Sequence, residues 1–157
     1  MATEDHADAV EQWVILRKQY PELPSADEIE QEFDIRLQEP VIRSTLWIII
    51  DHMMQAANHI EGIIQPQRMP DMIEHKFYTD QERKTLYKKY KEFIAKVHEL
   101  WAAMFQTRKE RIQALIKGYQ YVKKTLKPFM HEFLHNQAEQ WLKEDNLPEE
   151  KRESYMG

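Results

Sequence analysis

The scarcity of glycine is the feature that most limits how this chain can fold. Only three glycines occur among its 157 residues. Sheets joined by tight hairpin turns favour glycine at positive φ, so a β-rich fold is a poor match to this composition. We therefore predict an all-α protein, a bundle of about five to six helices that includes one or two long amphipathic helices.

Length and composition narrow the class further. A chain of 157 residues suits a single domain, which can bury about 68–70% of its unfolded surface. The absence of cysteine excludes disulfides, thiolate metal sites and thiol nucleophiles. The longest apolar run, Leu46 to Ile50, is five residues, against the roughly 20 that span a bilayer, and no signal peptide is evident. We expect a soluble cytoplasmic or intravirion protein without membrane contact.

Helix starts can be read from the capping-box pattern S/T-x-x-E, which occurs at Ser25, Thr79 and Thr107. In this pattern the hydroxyl accepts from a backbone amide three residues on, and the glutamate accepts from the amide of the capping residue. The pattern and the prolines between segments predict helices over residues 7–19, 25–38 and 41–64. Residues 65–78, which contain two prolines, are predicted to be a connecting loop.

The predicted helix over residues 41–64 is the candidate for the centre of the core. Its apolar residues recur every three or four positions, as in a helix buried along one face. They are Ile42, Leu46, Ile49, Met53, Ala56, Ile60 and Ile63, with Trp47, Ile50 and Met54 widening the face.

The apolar pattern then continues almost unbroken over residues 79–127, and two structures fit it. One is a single helix of about 49 residues. The other is a pair of helices separated by a turn at Gln106-Thr107, where a capping box would start the second helix. Pro128 begins or kinks a last helix. Residues 1–24 are predicted to form an acidic arm with a short helix, and residues 143–157 a charged, mobile tail.

Charge is segregated along the chain. Residues 1–40 carry eleven acidic and three basic side chains, whereas residues 79–127 carry thirteen basic and five acidic ones. This pattern favours a non-enzymatic protein that associates with itself or with a protein partner through oppositely charged faces. The candidate binding residues are Lys84, Lys88, Lys89, Lys91, Arg108, Lys109, Arg111, Lys117, Lys123, Lys124 and Lys127.

The basic face has two other interpretations, nucleic-acid binding and neutralisation within one chain. Tyrosines interleave with the lysines, so the face could follow a nucleic-acid backbone while the rings stack on bases. The net charge of −5 is unlike that of a dedicated nucleic-acid binder. The acidic N-terminal region could instead neutralise the basic face within one chain.

Histidines supply the candidate metal ligands. His131, Glu132 and His135 spell H-E-x-x-H, the helical pattern in which two imidazoles hold zinc and the glutamate polarises a water. With His52, these histidines resemble the DinB-like metal-binding bundles over roughly residues 26–145, although Asn136-Gln137 stands where that family has Arg-Gly-Gln. The resemblance implies a site for zinc or another divalent metal, and a hydrolase or transferase role. The other interpretation is that the histidines are half-buried and hydrogen-bonded to neighbours, with no cofactor.

Overall fold

The computed structural model describes residues 2–144, with side chains from residue 4 onward, and within this range it contains helices and no strand. The helices are α1 (Ala2–Gln19), α2 (Ala26–Phe33), α3 (Val41–Ile64), α4 (Met69–Lys76), α5 (Asp80–Met104), α6 (Arg108–Tyr121) and α7 (Lys127–Lys143). The all-α prediction is confirmed, and 83% of the residues that the structure describes are helical. Most of the predicted tail, from residue 145 on, lies outside the described residues. None of the described helices is both long and apolar enough to cross a bilayer.

α3 lies at the centre of the bundle, where it packs against α5, α6, α4 and α1. Its bounds are those predicted, and its fully buried residues follow the predicted three- and four-residue spacing. Trp47 departs from the predicted pattern, because 46% of it is exposed. One cluster of buried residues runs from Ala9 in α1 to Phe133 in α7.

Residues 79–127 form two main helices, not one. α5 ends before Phe105, and the complete capping box at Thr107 starts α6: the Thr107 hydroxyl accepts from the Glu110 amide, and the Glu110 carboxylate accepts from the Thr107 amide at 3.0 Å. The chain therefore turns back, and α5 and α6 lie side by side against α3. At Ser25 and Thr79 the hydroxyl half of the pattern also caps its helix.

α6 and α7 are joined by a π-helical segment, Val122–Leu126, and form one continuous helix. The seven described α-helices therefore make six separate helical segments. The Lys127 amide bonds to the Val122 carbonyl, five residues back. The wider turn directly precedes Pro128, whose ring would clash with the carbonyl four residues back in a regular α-helix. Pro128 therefore lies in the first turn of α7, as predicted, and the helical path continues through it from α6.

The prediction of a helix over residues 25–38 was wrong in its second half. α2 ends at Phe33, because Asp34 adopts the left-handed conformation at φ 51° and closes the helix. The following segment is held out of the helix by Glu30, whose carboxylate accepts the Leu37 amide at 2.9 Å. Leu37 is buried as a result.

The loop predicted over residues 65–78 was also wrong, since it contains the short helix α4. Pro70 lies in the first turn of α4, where the missing amide hydrogen would have no helical acceptor. Ile73 then buries one face of α4 against the bundle. α1 likewise differs from its prediction: it begins at Ala2 instead of Ala7.

Candidate interaction surfaces

The predicted basic residues divide into those already engaged and those left free. Lys89 pairs with Glu92 at 3.4 Å and lies over the Phe129 ring, while Lys123 lies over the Tyr119 ring. Lys91 likewise lies over the Tyr87 ring. The exposed members with neither an ion pair nor a ring contact among residues 2–144 are Lys84, Lys88, Arg108, Lys109, Lys117 and Lys124. A free positive face therefore runs along α5 and α6.

Lys127 connects the basic segment to the acidic one within a single chain. Its Nζ lies 3.3 Å from a carboxylate oxygen of Glu32, donates to the backbone carbonyl of Glu32, and sits over the Phe33 ring. Glu30 is also engaged inside the molecule, because it bonds His6 at 2.7 Å as well as the Leu37 amide. The acidic residues of α2 are thus partly used to hold the fold.

A group of four free negative charges lies on α1. Glu4, Asp5, Asp8 and Glu11 are exposed, and none of their side chains forms a hydrogen bond or ion pair with residues 2–144. Glu4, Asp8 and Glu11 follow the spacing of four and three residues that aligns side chains along one helix face. The outer face of α1 is therefore an acidic stripe.

A groove between α5 and α6 is one of the largest cavities, with a volume of about 490 Å³. Lys117 lines it from α6, Lys124 from the π-helical segment that follows, and Lys96 from α5. Glu99 and Glu110 also line it, and Glu99 pairs with Lys96 at 3.2 Å. The unpaired positive charge of the groove is therefore that of Lys117 and Lys124.

One end of this groove is bordered by a hydrogen bond between the two helices. The Tyr121 hydroxyl donates to Glu92 at 2.6 Å, which lowers the pKa of Glu92, and burial together with Glu92 raises the pKa of Tyr121. Because the pKa of Glu92 is lowered on folding, its contribution to stability is present above the ordinary carboxyl pKa and is lost as the pH falls through the folded value.

The three histidines proposed as metal ligands do not converge. His52 contacts the Ile48 carbonyl at 3.1 Å and packs edge-on to Phe33, whereas His131 and His135 are exposed on α7 and His135 pairs with Glu139 at 3.4 Å. Within residues 2–144 no group of three or more His, Asp or Glu residues is placed to hold a metal ion. The expected meeting of His52 with the H-E-x-x-H pair is therefore not observed.

A polar network that the sequence did not predict joins α3, α4 and α7. Gln137, only 3% exposed, meets His59 at 3.0 Å through its oxygen and donates to Glu74 at 3.1 Å through its nitrogen. The Trp141 indole donates to the other Glu74 oxygen at 2.9 Å. Burial and the nearby Glu74 carboxylate raise the pKa of Tyr78 to about 12. The sequence signal for this network is a glutamine on the apolar helical spacing, since Gln137 lies four residues after Phe133 and four before Trp141.

Gln137→Leu is expected to lower the free energy of unfolding by about 1–3 kcal/mol, since Glu74 and His59 lose a partner in a partly buried site. Chemical denaturation would measure it. Gln140→Leu, one turn later and exposed, is the matched control and should change stability by less than about 0.5 kcal/mol. Equal effects of the two substitutions would show that the network does not stabilise the bundle.

The fold and these surfaces define an all-α bundle with separate acidic and basic exposed faces. No protein-family model, no curated protein and no solved structure matches this chain.

Proposed function

We propose that this protein is a non-enzymatic assembly protein in which the acidic stripe of α1 on one copy binds the positive groove between α5 and α6 on another. The observation that carries the proposal is that the acidic side chains of the α1 stripe and the lysines Lys117 and Lys124 of the groove are exposed and form no ion pair within residues 2–144. Unpaired charge of opposite sign on two faces favours contact between molecules over contact within one.

The spacing of the charges supports this pairing. Glu4 and Glu11 are seven residues apart on α1, as are Lys117 in α6 and Lys124 in the π-helical segment that continues it. Seven residues advance a helix by about 10 Å and return to nearly the same face, so both pairs of charges can meet when the helices lie side by side. The two faces differ, so each contact is head-to-tail and builds a ring or an open chain.

We expect a homo-oligomer that loosens as salt is added, because the Debye length falls from about 10 Å at 0.1 M to about 3 Å at 1 M. Lys117→Glu combined with Lys124→Glu should weaken association about tenfold, since exposed ion pairs worth about 0.2–1 kcal/mol each become repulsive. Glu4→Lys with Glu11→Lys should weaken it similarly. Sedimentation equilibrium across a salt series measures both effects.

The control is Lys84→Glu with Lys88→Glu, which makes the same change of charge elsewhere on the basic face. It should leave association within about twofold of the parent protein, because exposed charges beyond a Debye length are screened. Combining the α1 and α6 reversals should restore part of the affinity. A monomer at every ionic strength would overturn the proposal.

A second candidate function, binding of a single-stranded nucleic acid, is favoured by the first half of α5. Tyr87 is 49% exposed, Lys91 lies 5.7 Å from the centre of its ring, and Lys84 and Lys88 are exposed beside it. An exposed ring flanked by free lysines suits base stacking with phosphate contacts. Filter retention of labelled single-stranded DNA that falls steeply with salt, and is weakened by Tyr87→Ala, would support this function.

A further inference from the structure

The corner where α5 turns into α6 contains a cavity of about 260 Å³ against the first turns of α3. Its lining residues are Arg43, Trp47, Trp101, Met104, Phe105 and Arg111. Three of these are aromatic, two are arginines and none is acidic. Neither arginine forms an ion pair within residues 2–144. The cavity thus has a positive charge that the described chain leaves uncompensated.

Two of the lining residues also carry buried hydrogen-bond donors without an acceptor. In the part of the chain that the structure describes, the indole N–H of Trp101 and the Nε–H of Arg111 are both inaccessible to solvent and unpartnered. Buried N–H groups are nearly always bonded in folded proteins, so an orphaned pair at one cavity requires an explanation. An acceptor supplied by a ligand would satisfy donors that the described protein does not satisfy.

The outer edge of the cavity is apolar. Phe105 is 92% exposed and Trp47 is 46% exposed. Large apolar side chains that are grouped on a surface commonly mark a binding site. Met104, which also lines the cavity, is a side chain that adapts its shape to what it contacts.

We propose that this cavity binds a carboxylate carried on an apolar group. A small shift of the two side chains would expose the covered Arg111 and Trp101 N–H groups, from which the carboxylate would accept, and its charge would be balanced by the two guanidinium groups, which suit planar carboxylates. The apolar part would lie between the rings of Trp47 and Phe105. The site is distinct from the groove in which α1 of a second copy is proposed to bind.

The probe for the test is 4-phenylbutyrate, with 4-phenylbutyramide as the uncharged match. Binding is followed by two-dimensional NMR of the indole N–H signals of the full chain, in which the Trp101 signal is assigned by its loss in Trp101→Phe. We expect saturable binding of the acid, a shift of the Trp101 indole N–H signal, and binding of the amide at least about tenfold weaker, because the amide lacks the charge.

Arg111→Met keeps an apolar side chain but removes the hydrogen-bond donors of the guanidinium group. It should weaken binding of the acid by about tenfold or more. Arg108→Met is the matched control, since Arg108 is exposed on the same helix and does not line the cavity. It should leave binding unchanged. If Arg111→Met does not fold, Trp101→Phe serves in its place, with weaker binding expected. Equal binding of acid and amide, no binding of the acid, or binding without a shift of the Trp101 signal would overturn the proposal.

A second arm separates the two sources of such a carboxylate. A short peptide that ends in leucine is compared as the free acid and as the C-terminal amide. Tighter binding of the peptide acid than of 4-phenylbutyrate would assign the site to a protein C-terminus, and the reverse order would assign it to a small apolar acid. Either result would support the proposal that the cavity binds a carboxylate carried on an apolar group.

Discussion

Ile49→Ala and Ile60→Ala are each expected to lower the free energy of unfolding by about 2–5 kcal/mol. Both side chains are fully buried at the centre of α3. Each substitution removes buried methyl and methylene groups and leaves a cavity that the surrounding helices can only partly fill. Urea or guanidinium denaturation followed by circular dichroism gives the change in unfolding free energy.

Gln55→Ala is the control within the same helix. Gln55 is exposed, and its amide donates to Asp51 at 2.8 Å in a surface pair one turn apart. Such pairs contribute a few tenths of a kcal/mol, so the substitution should have little effect. Similar small losses at Ile49, Ile60 and Gln55 would contradict the placement of α3 at the centre.

Gly118 offers a sharper test of the packing at Ile49. A Cβ atom added to Gly118 would lie 3.1 Å from a methyl carbon of Ile49 and 3.2 Å from one of Leu100. Gly118→Ala therefore crowds both side chains, whereas Ile49→Ala removes one of the crowding methyl groups. The two substitutions together should cost less than the sum of their separate effects.

Trp13→Ala is expected to cost about 3–5 kcal/mol, the second large effect. The indole is fully buried and its N–H donates to the Pro24 carbonyl at 2.9 Å. The ring fixes α1 to the segment before α2, so its loss removes both packing and a buried hydrogen bond. Thermal or chemical unfolding measures the change.

Two further variants separate these contributions. Trp13→Phe keeps an aromatic ring but leaves the Pro24 carbonyl unpaired. It should lower the free energy of unfolding by about 1–3 kcal/mol more than a substitution at the surface does. Val14→Ala, at a neighbouring position that is 46% exposed, should change stability little. A Trp13→Ala protein as stable as Val14→Ala would show that α1 is not anchored by this ring.

The candidate surfaces could be predicted from the sequence only in part. Charge counts indicated a basic face on residues 79–127, and Lys117 and Lys124 are among the residues named in advance. The sequence did not show that Lys127 pairs with Glu32 inside the chain or that four carboxylates of α1 are left free. Pairing of charges depends on distances between helices, which the order of residues does not contain.

The cavity at the α5–α6 corner was likewise hidden from the sequence. Trp47 fits the apolar spacing of α3 and was predicted to widen its buried face, yet it is 46% exposed. Arg43, Trp101 and Phe105 carry no pattern that marks a site. They meet because α5 ends where α3 begins, so the cavity exists only through the packing of three helices.

The sequence by itself determined the helical class and the bounds of α3, and it marked Thr107 as the start of α6 in one of the two structures that fitted residues 79–127. These follow from local causes: few glycines, an apolar repeat close to the helical period, and the capping box at Thr107. Only the tertiary structure decided that α2 ends at Phe33 and that residues 69–76 form α4. There the Leu37 and Ile73 side chains are buried against the bundle, and the packing of apolar side chains outweighs the small local preferences that sequence patterns record.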